Sequence, residues 1–238
     1  MSLGDHLEEL RMRLLMALAG LVVGVIISLF FGRLIIEFIK GPYTTVLGEE
    51  AHLQTLAPTQ GFTSYVKIAV VTGLLLSSPW VFYHLWMFVA AGLYPHERRY
   101  VQMAVPFSAV LFVVGALFFI FVLAQLSLGV LVRMDRWLGL ESNWTFPKYV
   151  SFITMLMLVF GIAFQTPLAV FLLTKTGLVS IESLKRARKF VVLAIVIVAA
   201  LATPPDPLSQ VTLAVPLYLL FELGIVLSCL SARKRHEE

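Results

Sequence analysis

Two glutamates stand in a chain that otherwise avoids charge. One lies in the opening segment Asp5-His6-Leu7-Glu8-Glu9-Leu10-Arg11-Met12-Arg13, and the other in Leu93-Tyr94-Pro95-His96-Glu97-Arg98-Arg99. Each sits among basic residues at the edge of a long apolar run. Two carboxylates at one membrane surface make a receptor for guanidinium groups, because arginine meets a carboxylate with two parallel hydrogen bonds and lysine does not. Plainer roles compete. Asp5 and Glu8 have the spacing of a capping box. Glu9 and Arg13 are spaced for an intrahelical ion pair. Glu97 can pair with a neighbouring arginine, or favour the start of the following helix through the macrodipole.

The remaining polar residues divide in the same way. Glu222 is the deepest acid, and a carboxylate within a span is a functional candidate by default. Snorkelling toward Arg233 or Lys234 competes with that role. Asp206 lies in Thr203-Pro204-Pro205-Asp206-Pro207 and suits the bracing of a rigid turn. His6, His52, His84, His96 and His236 show no metal-ligand spacing. His84 is expected to be a hydrogen-bonded residue of the bundle. Cys229 is the single cysteine, which leaves no internal disulfide or thiolate cluster. Neither a phosphate loop nor a nucleophile elbow is present. The sequence therefore predicts no catalytic residue, no metal, no cofactor and no nucleic-acid partner.

The elements that must position these groups are membrane helices. The chain has 238 residues, of which 59% are hydrophobic and 13% charged, with a mean hydropathy of +0.91. An ordinary soluble domain carries about 25% charged residues. A membrane barrel alternates apolar and polar positions rather than running apolar throughout. Without water in the hydrocarbon core, each run must satisfy its own backbone, and the fold class is an all-α integral membrane bundle. Six transmembrane helices are expected, at about 14–36, 65–91, 103–132, 149–174, 190–202 and 208–230, in one domain covering 1–238. Residues 37–64, with Gly41-Pro42, Gly48 and Pro58, are expected to form a structured outer loop cap.

Most of the 18 basic residues fall on the side that holds the termini and the loops after the second and fourth spans. The positive-inside rule places that side, with both termini, in the cytoplasm. The polar, mixed-charge start does not read as a cleavable signal peptide. Pro79, Pro106, Pro167 and Pro216 favour kinks, and so a curved bundle with a concave face. Spans five and six are expected to be short. Phe190 to Ala202 covers only about 20 Å as a helix, against a core of roughly 30 Å. Such a hairpin needs bilayer thinning or a partner over the mismatch.

Several segments taken in order resemble one family. They are His6-Leu7-Glu8-Glu9-Leu10-Arg11, Ser77-Ser78-Pro79, Leu93 to Arg99, Thr203-Pro204-Pro205-Asp206 with Ser209-Gln210, and Phe221-Glu222-Leu223-Gly224. Together they look like the TatC family, the multispanning receptor subunit of the twin-arginine protein translocase. The resemblance implies an inner (plasma) membrane protein that binds twin-arginine signal peptides at its cytoplasmic face. It implies recruitment of single-span subunits of the TatA and TatB type, self-association within the complex, and export of folded proteins driven by the proton-motive force. By position, Glu97 matches the family's arginine-binding glutamate and Glu9 the second carboxylate. Arg11 lies beside Glu9, and Phe88 matches a residue near the signal-peptide site. Pro42, Gln210, Asp206 and Glu222 are carried over as partner-binding or structural positions, and Gln165 joins them. Some members carry a glutamate where this chain has Gln165, so no titratable group is expected there.

Two other classes are weaker readings of the same residues. A small-solute transporter needs charges paired at mid-membrane depth, and the chain offers only Gln165, Pro167 and Lys67 there. An intramembrane protease needs a Ser–His or paired-Asp motif, and none is found.

Overall fold

The computed structural model describes residues 3–91, 98–202 and 207–237. Its helices are α1 (Leu3–Phe30), α2 (Gly32–Leu47), α3 (Gln60–Ala91), α4 (Arg98–Phe118), α5 (Gln125–Trp137), α6 (Phe146–Ala163), α7 (Thr166–Lys175), α8 (Ile181–Ala202) and α9 (Pro207–Glu237). A π-helical turn, Phe119–Ala124, joins α4 to α5 into one rod. No strand occurs among the described residues; a single β-bridge links Gln54 to Thr145.

Among the described residues, five stretches are long and apolar enough to cross a membrane: Glu8–Phe30, Gln60–Ala90, Met103–Trp137, Phe146–Lys175 and Ser209–Ser231. The expected fifth span is not among them. Its helix α8 is 22 residues long, but the amino-terminal half carries Lys185, Arg186, Arg188 and Lys189, so only Phe190 onward is continuously apolar. The expected sixth span is not short: Ser209–Ser231 has 23 residues and a hydropathy of 2.2. One acid does not end an apolar helix when its charge is paired, as Glu222 proves to be.

Within 37–64, where a structured loop cap is expected, much of the chain is helix. The chain leaves α1 at Phe31 for a single residue, re-enters helix, and stays helical to Leu47. Hydrogen bonds from Phe31 N to Ile27 O and from Ile35 N to Phe31 O carry the ladder across that break. Gly41 and Pro42 suggest a turn, but tertiary packing overrides them: α2 buries Ile39, Pro42 and Tyr43. Tyr149 Oη donates to the Ile39 carbonyl at 2.6 Å. Only 48–59 is irregular. It is tied to the loop before α6 through Gln54 N to Trp144 O and Phe146 N to Gln54 O.

The prolines act unequally. Pro79, Pro106 and Pro216 lie inside unbroken helices. Only Pro167 accompanies an interruption, in the first turn of α7 just after the chain leaves α6 at Phe164 and Gln165. The other departure from α-geometry, the π turn, contains no proline. It buries Phe119, Ile120, Leu123 and Ala124 at the centre of the main core. There Phe119 stacks on Phe160 at 5.6 Å between ring centroids.

Helix α1 packs almost entirely on α3. Lipid tails are as apolar as leucine, so this contact has no hydrophobic driving force and depends on close approach. A Cβ on Gly24 would lie 2.4 Å from the Gly73 carbonyl oxygen, and one on Gly73 would lie 2.6 Å from Val25 N. Both are steric overlaps with backbone, which cannot move aside as a side chain can. Gly73→Ala is therefore expected to loosen the pair and lower stability by about 1–3 kcal/mol. Gly129→Ala, in a helix with open space around it, should raise stability by roughly 0.5–1 kcal/mol. Thermal unfolding in detergent, read with a reporter on α1, checks both signs.

Candidate functional site

The α1–α3 contact fixes the depth of the amino-terminal carboxylate. Gly24 meets Gly73 and Gly32 meets Tyr65, so the helices run antiparallel in one register. The Tyr65 hydroxyl donates to the Leu29 carbonyl, and Trp80 Nε1 donates to the Met16 carbonyl at 2.8 Å. Continued toward the amino terminus, that register sets Arg13 level with His84 and Glu9 level with Phe88. The helix ends thus place Glu9, Phe88, the end of α3 and the start of α4 at one end of the bundle. Glu97 directly precedes Arg98 in sequence and lies outside the described residues, as does Asp206.

Glu9 is partly buried and accepts one contact, from Arg13 Nη2 at 3.4 Å; the two side chains are 23% and 26% exposed. That distance exceeds the normal range of an N–H···O bond. The intrahelical pair expected from spacing is therefore present but weak, and Glu9 keeps acceptor capacity. Arg11 is exposed, and Phe88 is half-buried and engaged with neighbours.

His84 departs from expectation. It is buried, yet neither ring nitrogen has a hydrogen-bond partner among the described residues. Its ring sits edge-on to Trp80 at 4.6 Å and to Tyr83 at 5.2 Å. The histidine packs as an aromatic.

Gln165 lies at the interruption between α6 and α7. Its Nε2 donates to the Ser108 carbonyl at 3.0 Å. The Ser108 hydroxyl accepts from Trp86 Nε1 at 2.7 Å. One amide and one indole thereby join α3, α4 and the α6–α7 break. Gln210 Nε2 donates to the Val196 carbonyl at 3.1 Å and ties α9 to α8. Pro42 is buried within α2. Among the described residues, no group of three His, Cys, Asp or Glu side chains could hold a metal.

Glu222 takes a partner that sequence reasoning missed. Arg188 on α8 meets it as a two-pronged fork, Nε to Oε1 at 2.8 Å and Nη2 to Oε2 at 2.8 Å. Tyr218 Oη donates to Oε1 at 2.7 Å. The partner lies on the neighbouring helix rather than on the basic tail that spacing suggested. A signal existed. Arg188 precedes Thr203 by as many residues as Glu222 follows Pro207, so a tight turn brings them level. Tyr218 is four residues from Glu222 on one helix face.

The arrangement defines a multi-pass helical membrane protein whose polar groups either tie helices together or gather at helix ends. Residues 5–216 match the family model for the Sec-independent protein translocase protein TatC. The chain is 36% identical over 239 residues to TatC of Aquifex aeolicus (strain VF5), covering 100% of this chain and 98% of the relative. It is 34% identical over 223 residues to TatC of Escherichia coli (strain K12), covering 94% and 86%. A crystal structure of the twin arginine translocase receptor TatC in DDM superposes with a TM-score of 0.86 at 33% identity, covering 94% of this chain and 99% of that one. A second crystal structure of the receptor gives 0.81 at 32% identity, with 95% and 99% coverage. The chain belongs to the TatC family. It is a component of the Tat protein translocase in the membrane, and not an enzyme.

The Arg188–Glu222 fork generates a prediction. Arg188→Lys keeps the charge and loses the planar fork, so it should recover only part of the stability lost in Arg188→Ala. A double-mutant cycle with Glu222→Gln, read by thermal unfolding, should give a coupling of about 1 kcal/mol, the upper range for a pair this exposed.

Proposed function

We propose that this chain is the signal-peptide receptor and core subunit of its twin-arginine translocase. In this reading Glu9 and Glu97 receive the consecutive arginines of a signal peptide at the cytoplasmic face. Phe88 lines the site and Arg11 flanks it. The observation that carries the proposal is the α1–α3 register. It sets Glu9, with acceptor capacity to spare, level with Phe88 at the bundle end where α3 stops and α4 starts, and Glu97 directly precedes α4 in sequence. The solved structures that superpose on this chain are described as the twin arginine translocase receptor, and they support the reading.

The six-span plan belongs to the same proposal. The apolar half of α8 completes the sixth crossing beside α9, and both termini lie in the cytoplasm of a cell whose inner (plasma) membrane holds the protein. The distribution of Lys and Arg supports that orientation. Residues 37–64 then cap the outer face, with α2 as their helical part. Asp206 braces the outer turn between α8 and α9. Single-span partners of the TatA and TatB type pack beside the α8–α9 hairpin. A groove of about 360 Å³ between α6, the start of α7, α8 and α9, lined by Ile162, Thr166, Ala194, Val198 and Leu217, supports this placement. Copies of the subunit assemble together in the complex, and the proton-motive force drives export of folded cargo.

Two experiments test the reading. Glu97→Gln and Glu9→Gln should each weaken binding of an RR signal peptide about ten- to hundredfold, the value of one charge-assisted hydrogen bond, while insertion stays normal. A KK peptide should bind the native protein less well than RR at equal charge. Equal affinity for RR and KK would sink the two-carboxylate receptor. For the hairpin, cysteines at Leu193, Val196 and Leu219 should crosslink to a single-span subunit in membranes more strongly than one at Val110 on α4. A pattern confined to α4 would remove the hairpin as the docking face.

A further inference from the structure

A further groove is separate from both regions above. It holds about 580 Å³ and lies between α4, α7 and α9, lined by residues that include Met103, Phe107, Leu168, Leu172, Leu223 and Leu227. This volume falls in the range of roughly 300–1,000 Å³ typical of small-molecule sites. Its walls are apolar throughout. At one end, however, Leu172 and Leu227 lead within a turn to a polar mouth. There Lys175 Nζ donates to Ser231 Oγ at 3.1 Å, and Thr174 Oγ1 donates to Ser228 Oγ at 2.9 Å.

Lys175 closes the last turn of α7, where exposed carbonyls favour a cation. An ammonium has three donors, and one goes to Ser231. No carboxylate among the described residues pairs with it. A cation with free donors, set at the end of an apolar groove in a membrane helix bundle, has the chemistry of a phospholipid site.

We propose that the groove holds an acyl chain of an anionic phospholipid and that Lys175 binds the headgroup phosphate. The lining distinguishes a lipid chain from a partner helix. Close helix packing in membranes relies on small residues, whereas Leu, Phe and Met dominate these walls. Such a surface suits a flexible chain that can follow its relief. Chain burial alone cannot select among lipids, since every tail is equally apolar, so selectivity comes from Lys175. A net negative headgroup is preferred because a zwitterionic one brings its own cation to the same phosphate. The proposal rests on the multi-pass membrane fold and not on the receptor reading.

The test uses the full chain, incubated in detergent with equal amounts of phosphatidylglycerol and phosphatidylcholine and analysed by native mass spectrometry. The native protein should retain phosphatidylglycerol about fivefold over phosphatidylcholine, the effect of one basic residue at a membrane surface. The preference should shrink as salt rises. Lys175→Gln should abolish it, Lys175→Arg should keep it, and Leu223→Trp should reduce retention of both lipids by filling the groove. Equal retention by the native protein, or a preference unaffected by salt, overturns the proposal without reference to any variant. Survival of the preference in Lys175→Gln, or full retention in Leu223→Trp, overturns it too. A photocrosslinker at Phe107 that captures only protein in native membranes would replace the lipid with a peptide segment. Binding of RR peptide, measured in parallel, reports on the receptor reading separately.

Discussion

The contact between the backbones of α1 and α3 is the constraint on which the amino-terminal site depends. Helix α1 presents Leu14, Leu15, Leu18, Val22, Val23 and Ile26 outward, all exposed, and packs on little but α3. Burial of apolar area cannot hold it there, because those side chains gain as much from lipid as from protein. What remains is dispersion at short range, which Gly24 and Gly73 permit by bringing the two backbones together. Gly20 adds to this by leaving room for the Trp80 indole, which lies where a Cβ on Gly20 would stand. The indole then reaches the Met16 carbonyl. A slip of one turn along this interface would move Glu9 by about 5.4 Å and separate it from the level of Phe88.

Elsewhere, polar bonds between helices do the fastening. Lys67 on α3 donates to Ser151 on α6 at 2.8 Å, Tyr149 reaches α2, and Gln165 reaches α4. Each bond is modest in a membrane, about 0.6 kcal/mol on average. Their placement matters more than their sum. Gln165 stands where the helix is interrupted, and both of its backbone groups are bonded. Its own amide donates to the Ile162 carbonyl, and the Ala169 amide donates to the Gln165 carbonyl. An amide serves this role as well as a carboxylate would, and without the cost of a buried charge.

Much of this was legible in the sequence, and the failures have physical causes. Apolar runs of about 20 residues revealed four spans directly, because a bilayer demands that length whatever the packing. Ends were read less well. The run through Gly32, Gly41 and Pro42 looks like a loop to any argument from local propensity. It is helix because Ile39 and Tyr43 pack into the main core, where Tyr149 meets both, a tertiary fact. The π turn was invisible for the same reason, since nothing in Phe119–Ala124 differs in type from its neighbours. Among site residues, Glu9 and Arg13 could be paired from spacing alone. The fork between Arg188 and Glu222 required counting outward from the proline turn, and proximity to the basic tail misled. The family resemblance rested on ordered short motifs, and it identified the chain where composition alone reached only a membrane bundle.

The fork also bears on how the protein meets its membrane. On α7 and α9, the polar boundary at this end falls at Lys175 and Ser231, which are bonded to one another. On α8 the last charge before the apolar run is Lys189, one residue beyond the Arg188 that holds Glu222. Glu222 lies inside an apolar stretch that continues to Ser231. From Glu222 to Ser231 the helix rises about 14 Å. A leaflet that follows α9 to its end would therefore submerge the charged turns of α8 by that depth. One of those charges, Arg188, is paired with Glu222 of α9, and Tyr218 supplies that carboxylate with a further donor. The lysines and Arg186 have long stems that can carry their charged ends toward water. Pairing and snorkelling reduce the mismatch without removing it. Bilayer thinning or a covering helix must meet the rest, and both would act on the α8–α9 hairpin rather than on the four other long spans.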